Sequence, residues 1–239
     1  MKSIVIEPLK SKIITVKDNL EGVITSALKK HPLKSGDILV IASKVVAITQ
    51  GRVHMIRNDQ EFNALVKNEA DTIVGGEKVT LTLKNGIFIP WAGVDRSNAP
   101  EGEAIAWPEE PFKVAHQLQS ALKKKFKLTQ VGILITDSFC IPRRRGVSGV
   151  ALGYAGFKGV NDLRGKKDLF GNKLKVTQQA VADNLASASH IVMGESNEQT
   201  PFAIIHHAPV VFTSAKINSK EPIMAAEECL FKPLYNFHV

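Results

Sequence analysis

The chain has 239 residues, 44% of them apolar and 23% charged, which suits a soluble globular protein with a core in one or two domains. The 31 basic residues exceed the 23 acidic ones and give a net charge of +8. That excess favours anionic ligands such as nucleotides, polycarboxylates or nucleic acid, and a basic surface without a partner is the alternative. Two unpatterned cysteines, no signal-peptide core and no apolar run of about 18 residues predict a reduced, cytoplasmic protein without a membrane span.

The first half of the chain alternates short apolar runs with amphipathic segments. The run Ile38 to Ala42 is rich in β-branched residues and predicts a buried strand. It ends in Ser43 and Lys44, which are either a polar pair at a strand terminus or a plain loop start. The other predicted elements are strands at 3–9 and 12–16, a helix capped by Asp18 and ending near Lys29, a strand pair at 45–56 and a helix at 59–68.

The second half begins with a hairpin signal, Asn85-Gly86, inside the alternating run 79–90. That hairpin leads into a polar loop at 91–102. Prolines at 100, 108 and 111 predict a domain boundary near 100–112. The remaining predicted elements are helices at 111–127, 177–189 and 220–231 and strands at 132–136, 201–207 and 209–215.

The stretch 135–153, ITDSFCIPRRRGVSGVALG, carries the most chemistry. An apolar strand runs into Asp137 and Ser138, and three arginines (143–145) and a glycine-spaced segment follow. A carboxylate at a strand end can hold a cation, and arginines on a loop can hold phosphate or carboxylate. We therefore predict an active site here that handles a polyanion with the help of a metal.

Three predicted strand-to-loop junctions deliver carboxylates: Asp95, Asp137 and Glu195. Hard oxygen ligands from separate junctions suit Mg²⁺ or Mn²⁺, and Ser138 can add a hydroxyl. Solvated loop acids are the alternative interpretation.

Other chemistries lack their motifs. The sequence contains no GxxxxGK[ST] loop, no GxSxG elbow and no histidine spacing typical of zinc. The pair His206-His207 is interpreted as a structural or surface pair, and Cys140 as a packed thiol.

The sequence resembles the coenzyme F420-0:γ-glutamyl ligase family. The matching stretches are NGIFIPWAGVDRSNAPEG, the run from VGILITDSFC to HIVMGE and, more weakly, GDILVIASKVV. The resemblance implies a ligase that uses GTP and divalent cations to join L-glutamate to the carboxylate of F420-0 through an acyl phosphate. It also implies an α+β fold of two unlike subdomains that forms an intertwined homodimer.

The motifs carry specific roles over to this chain. Asp95, Asp137 and Glu195 match metal-binding acids of the family, and Ser138 stands where a threonine hydroxyl serves a second metal. Arg144 matches an arginine of the central loop, which we expect to contact phosphate or a substrate carboxylate; a surface salt bridge is the alternative. The positions that match nucleotide contacts are Ser43, Lys44, Asn98, Met193, Gly194, Ser196, Asn197, Glu198, Gln199 and Thr200.

Departures from the family pattern leave the acceptor and the nucleotide open. Ile48 and Gln50 stand where a lysine and an acidic residue are common, and Ile141 replaces an arginine. Folate is therefore an alternative acceptor. A relative without catalysis that binds nucleotide or nucleic acid is the alternative of another class.

Overall fold

The computed structural model describes residues 3–234 and shows a mixed α+β chain. Its strands are β1 Val5–Leu9, β2 Asp37–Ala42, β3 Val53–Met55, β4 Thr72–Gly75, β5 Leu81–Lys84, β6 Ile87–Pro90, β7 Glu103–Ile105, β8 Val131–Cys140, β9 Val147–Ala155, β10 Val160–Asp162, β11 Gln178–Ala180 and β12 Phe202–His206. Its α-helices are α1 Leu20–Ala27, α2 Ser43–Thr49, α3 Asp59–Glu69, α4 Pro111–Lys125 and α5 Val181–Met193.

The main sheet has five strands in the order β1-β12-β2-β8-β9. Only β2 and β8 run parallel, and their register pairs Asp37 with Val131 and Ala42 with Thr136. Both are continuous apolar runs, as expected for strands that are covered on both faces. The predicted strands at 38–42 and 132–136 are therefore confirmed, although β8 continues to Cys140.

Helices cover the two faces of this sheet. Leu39 and Ile41 of β2 belong to the core under α1, α2 and α4. The alternate residues, Ile38 and Val40, pack against α5. This alternation follows from the two-residue period of a strand.

A second group of elements, residues 53–105, lies between α2 and α4 in the chain. It contains the sheets β3-β7 and β4-β5-β6 and the helix α3, around a small core that includes Phe62 and Val94. The predicted hairpin is confirmed, with Asn85 and Gly86 both at positive φ between β5 and β6. The predicted subdomain boundary near 100–112 and the homodimer stay predictions.

Four predicted elements are wrong. The strand predicted at 12–16 has no regular structure. Of the strand pair predicted at 45–56, the first strand is the helix α2, whereas β3 confirms the second. Val45 and Val46 favour a strand by propensity, but burial against α1 and the sheet outweighs that preference. The segment 209–215 makes only an isolated bridge, Phe157 with Phe212, and 220–231 forms turns and a short 3₁₀ helix.

Helix ends also differ from the prediction. The cap of α1 is Asn19, whose Oδ1 accepts a hydrogen bond from the Gly22 amide, whereas Asp18 bonds the Thr15 amide and Lys12. The helix predicted from 177 starts at Val181, because β11 takes up Gln178–Ala180. Among residues 3–234, no helix is long and apolar enough to cross a membrane.

Candidate active site

A cavity of about 430 Å³ lies beside the ends of β2 and β8 and is called the Asp137 cavity below. Its volume is in the range of small-molecule sites. All the predicted site residues except Arg144 line it. Eleven lining residues were not predicted: Ser11, Lys12, Ile13, Ile14, Ala42, Val45, Ile48, Ser97, Thr136, His190 and Pro201.

Asp137 lies within β8 rather than at a strand-to-loop junction, so its predicted context is wrong. Its Oδ2 accepts a 2.7 Å hydrogen bond from the Ser43 hydroxyl, and its Oδ1 accepts one of 2.7 Å from the Ser138 amide. Burial raises the pKa of Asp137, and these two hydrogen bonds, the charge of Lys44 and the Trp107 side chain only partly oppose the rise. The carboxylate is thus short of compensating positive charge.

Asp95 follows the 3₁₀ turn Trp91–Gly93, and its backbone pairs with Ile105. The Lys44 ammonium lies 2.6 Å from its Oδ2, and Ser97 donates to the carboxylate through both its amide (2.7 Å) and its hydroxyl (2.5 Å). Burial alone would raise the pKa of Asp95, but the contacts from Lys44 and Ser97 outweigh it and lower that pKa. Asp95 is therefore held as a carboxylate.

The loop 193–200 forms another wall of the Asp137 cavity. Gly194 ends α5 at φ 78° and ψ 171°, a backbone conformation that is essentially restricted to glycine. Glu198 accepts from the Ser196 amide at 2.9 Å. Asn98 Nδ2 donates to the Ser196 carbonyl at 2.8 Å, which ties this loop to the Asp95 loop across the cavity.

Glu195 follows the helix α5, so the strand-to-loop junction predicted there is wrong. A residue that sequence reasoning missed holds its carboxylate. Its Oε1 lies 2.6 Å from His190 Nδ1, and His190 Nε2 lies 3.0 Å from the Thr136 hydroxyl. Thr136 is the partner of Ala42 at the end of the parallel pair. The five-residue spacing of His190 and Glu195 spans the end of α5, and that spacing was the available signal.

Arg144 lies outside the Asp137 cavity. Positions 143–145 form the exposed tip of the β8-β9 hairpin, and none of their guanidinium groups pairs with a carboxylate of residues 3–234. The glycines that follow serve packing: a Cβ on Gly149 would meet the α5 backbone at 2.6 Å, and one on Gly153 would meet Pro111 at 2.5 Å. The stretch 135–153 therefore contributes only Thr136, Asp137 and Ser138 to the cavity, and a contact of Arg144 with substrate stays a prediction.

Two departures from the family pattern have distinct places. Ile48 lines the Asp137 cavity as an apolar residue of α2. Gln50 exchanges two hydrogen bonds with the backbone of Glu109, of 3.0 and 2.8 Å, and so joins α2 to the segment before α4.

The oxygen groups of the cavity fit a hard divalent cation that keeps part of its water. Among residues 3–234, no three His, Cys, Asp or Glu side chains converge closely enough to hold a metal by themselves. Asp95, Asp137, Glu195 and the Ser138 hydroxyl nevertheless line one space. Mg²⁺ commonly binds through one or two carboxylates, with water and phosphate oxygens completing its coordination, and this donor set suits that mode.

Comparisons with known proteins agree with the resemblance. The model of the F420-0:γ-glutamyl ligase family matches residues 8–207. The coenzyme F420:L-glutamate ligase of Methanococcus maripaludis strain C7 is 32% identical over 92% of this chain and 95% of its own length. The enzyme of that name from Methanopyrus kandleri is 35% identical over 82% of this chain and 83% of its own length. The one from Methanocaldococcus jannaschii is 32% identical over 87% of this chain and 90% of its own length. The match covers strands β2, β8 and β12 and every residue of the cavity wall, and the chain belongs to the F420-0:γ-glutamyl ligase family.

Proposed function

We propose that this protein joins L-glutamate to the carboxylate of coenzyme F420-0 through an amide bond to the glutamate amine, with GTP and Mg²⁺ or Mn²⁺. The family match and the relatives named coenzyme F420:L-glutamate ligase support the reaction class and the acceptor. We further propose that GTP is the nucleotide, that a divalent metal is needed and that the reaction passes through an acyl phosphate.

The charge of the Asp137 cavity carries the metal part of this proposal. Its wall holds four carboxylates, on Asp95, Asp137, Glu195 and Glu198, against the ammonium groups of Lys12 and Lys44. A triphosphate entering such a wall would be repelled. Asp95, Asp137 and Glu195 would hold a divalent cation here, and its charge would offset that repulsion and the charge that develops during phosphoryl transfer.

The reaction requires two balanced steps. An oxygen of the acceptor carboxylate attacks the γ-phosphorus of GTP, the bond to the β-phosphate oxygen breaks, and GDP leaves. The glutamate amine then attacks the acyl carbon, the carbon–oxygen bond to phosphate breaks, and the amine loses a proton. The residues of this chain position the reactants. Ser43 orients the Asp137 carboxylate, and Asn98 ties the Asp95 loop to the loop 193–200, so that the walls around the reacting groups stay in place.

A homodimer is part of the proposal. Residues 163–180 are largely exposed, with Leu169 fully exposed, Phe170 90% and Val176 83% exposed. Exposed apolar side chains of this kind suit burial against a second copy. Light scattering coupled to size exclusion should give twice the 26.1 kDa mass of one chain.

The test is an incubation with GTP, Mn²⁺ and labelled glutamate, with F420-0 in one arm and tetrahydrofolate in the other. Incorporation into F420-0 alone supports the proposal, and incorporation into folate alone replaces the acceptor. No incorporation and no GTP turnover in either arm, with correctly folded protein, supports a relative without catalysis. An ATP arm tests the choice of nucleotide.

A further inference from the structure

The ammonium of Lys44 lies in a cage of oxygens. Its Nζ is 2.6 Å from Asp95 Oδ2, 2.6 Å from the Ser97 carbonyl and 3.0 Å from the Ser97 hydroxyl. An ammonium has three N–H donors, and each one has an acceptor here. The Lys44 side chain is 25% exposed and so is partly withdrawn from water.

The three acceptors are a carboxylate, a backbone carbonyl and a hydroxyl, which are the donor types that hard divalent cations take in proteins. The cage also keeps its shape without the lysine. Ser97 donates its amide to Asp95 Oδ1 and its hydroxyl to Asp95 Oδ2, so the turn 95–97 is bonded within itself. A cation about 0.5 Å closer than the ammonium to the Asp95 carboxylate and the Ser97 carbonyl would lie about 2.1 Å from each, the usual Mg²⁺–oxygen distance. The Ser97 hydroxyl, now 3.0 Å from the ammonium, would have to approach further to bind the same cation.

An ammonium and a divalent cation cannot share this cage, because like charges at such a distance repel strongly in a partly buried site. Asp137, another carboxylate of the cavity wall, also feels the charge of Lys44. One cation must therefore leave when the other arrives. Lys44 lies in the first turn of α2 on the cavity wall, from which its long side chain can turn towards an entering phosphate.

We propose that Lys44 and a divalent cation occupy the Asp95–Ser97 cage in turn, and that Ser97 is a metal ligand through its carbonyl and hydroxyl oxygens. This inference rests on the proposed metal- and nucleotide-dependent function. Lys44 is the resident cation of the resting protein, and the entering metal releases it to the nucleotide phosphates. Metal and nucleotide then strengthen each other's binding, because the displaced ammonium gains an anionic partner only when nucleotide is present.

The proposal predicts opposite effects of one substitution on two ligands. Lys44→Met keeps the length of the side chain and removes its charge, so the cage is free for metal. Mn²⁺ binding without nucleotide should tighten about tenfold, the scale of one charge-assisted contact. GDP binding in the presence of Mn²⁺ should weaken by a similar factor.

The experiment is a Mn²⁺ titration in which electron paramagnetic resonance measures free Mn²⁺, with and without GDP. Lys12→Met is the matched control, because Lys12 also lines the cavity but pairs with Asp18, and it should change Mn²⁺ affinity less than about twofold. Ser97→Ala should weaken Mn²⁺ binding about threefold to tenfold in the Lys44→Met background, where the lysine no longer competes. Circular dichroism checks that each variant is folded.

The outcomes distinguish a failure of the Lys44 exchange from a failure of the proposed metal-dependent function. If wild type binds Mn²⁺ and folded Lys44→Met binds it no more tightly, the exchange is wrong while the metal site stands. If Ser97→Ala has no effect in the Lys44→Met background, Ser97 is not a ligand. If neither wild type nor Lys44→Met binds Mn²⁺ with or without GDP, both the exchange and the metal part of the proposed function fall.

Discussion

The Ser43 hydroxyl donates a 2.7 Å hydrogen bond to Asp137 Oδ2 across 94 positions of sequence. The parallel pairing of β2 with β8 creates this contact, since Ala42 lies opposite Thr136 and each next residue enters the Asp137 cavity. The bond holds Oδ2, and the Ser138 amide holds Oδ1 at 2.7 Å, so the direction of the whole carboxylate is fixed. Ser43 therefore orients the Asp137 carboxylate, in addition to the nucleotide contact predicted for it.

Ser43→Ala should lower kcat about tenfold or more and raise the Mn²⁺ concentration needed for half-maximal rate, because Asp137 loses the donor that orients it. The free energy of unfolding should fall by about 1 kcal/mol. Ser26→Ala, at an exposed position of α1, is the control and should change neither. Steady-state assays over a Mn²⁺ series measure the effect, and an unchanged Mn²⁺ dependence would remove Ser43 from this role.

Asp137→Asn should abolish metal-dependent GTP turnover, because the amide keeps the shape of the side chain but supplies one neutral oxygen in place of a carboxylate. The protein should remain folded, since burial already disfavours the charged form of Asp137 and raises its pKa. Turnover and thermal unfolding are measured together. Wild-type turnover in the variant would exclude Asp137 from the site.

Asn98 has two separable properties, its bond to the Ser196 carbonyl and its backbone at φ 51°. Asn98→Gly removes the bond and tolerates the positive φ, whereas Asn98→Ala removes the bond and strains the backbone by about 1 kcal/mol. Both should raise the KM for GTP by a similar factor, but only Asn98→Ala should also lower the melting temperature relative to Asn98→Gly. Equal melting temperatures of Asn98→Ala and Asn98→Gly would show that the positive φ at position 98 does not lower the stability of the folded protein.

Sequence reasoning succeeded where the signal was local. The apolar run of β2, the Asn85-Gly86 turn and the apolar spacing of α4 each predict their element without knowledge of the neighbours. It failed for Val45 and Val46, because their strand propensity is outweighed by contacts with residues distant in the chain.

The site residues also divide into those with a local signal in the sequence and those without one. The acids Asp95, Asp137 and Glu195 stand beside glycine- and proline-rich segments that the resemblance already marked. His190 and Thr136 lie inside regular elements with nothing unusual around them in sequence, and only the packing of α5 on β8 brings them within 3.0 Å. The oxygen cage around Lys44 is likewise invisible in sequence, because it needs the turn at Ser97 to lie over the start of α2.

His190 should act as a positioning residue for Glu195. His190→Ala removes the partner 2.6 Å from the Glu195 carboxylate and frees that side chain to rotate. We expect Mn²⁺ affinity to weaken about tenfold, as is typical when the partner of a metal ligand is lost, with a smaller change in the KM for glutamate. His207→Asn, at an exposed position, is the control. Equal losses in Mn²⁺ affinity and in every KM would indicate general damage instead.

Acid should weaken the edge of the main sheet through Glu7 of β1. Burial would raise the pKa of Glu7, but hydrogen bonds and charge interactions with His31 and His206 outweigh it and lower that pKa. A carboxyl whose pKa is lower in the folded state stabilises the protein above its unfolded pKa, and this contribution is lost as the pH falls through the folded value. Glu7→Gln should therefore lower the melting temperature by about 1 to 3 °C at pH 6, the scale of a half-exposed ion pair, and by less at pH 3. Glu101→Gln is the control for removing an exposed acid, and a Glu7→Gln deficit of the same size at both pH values would contradict the linkage.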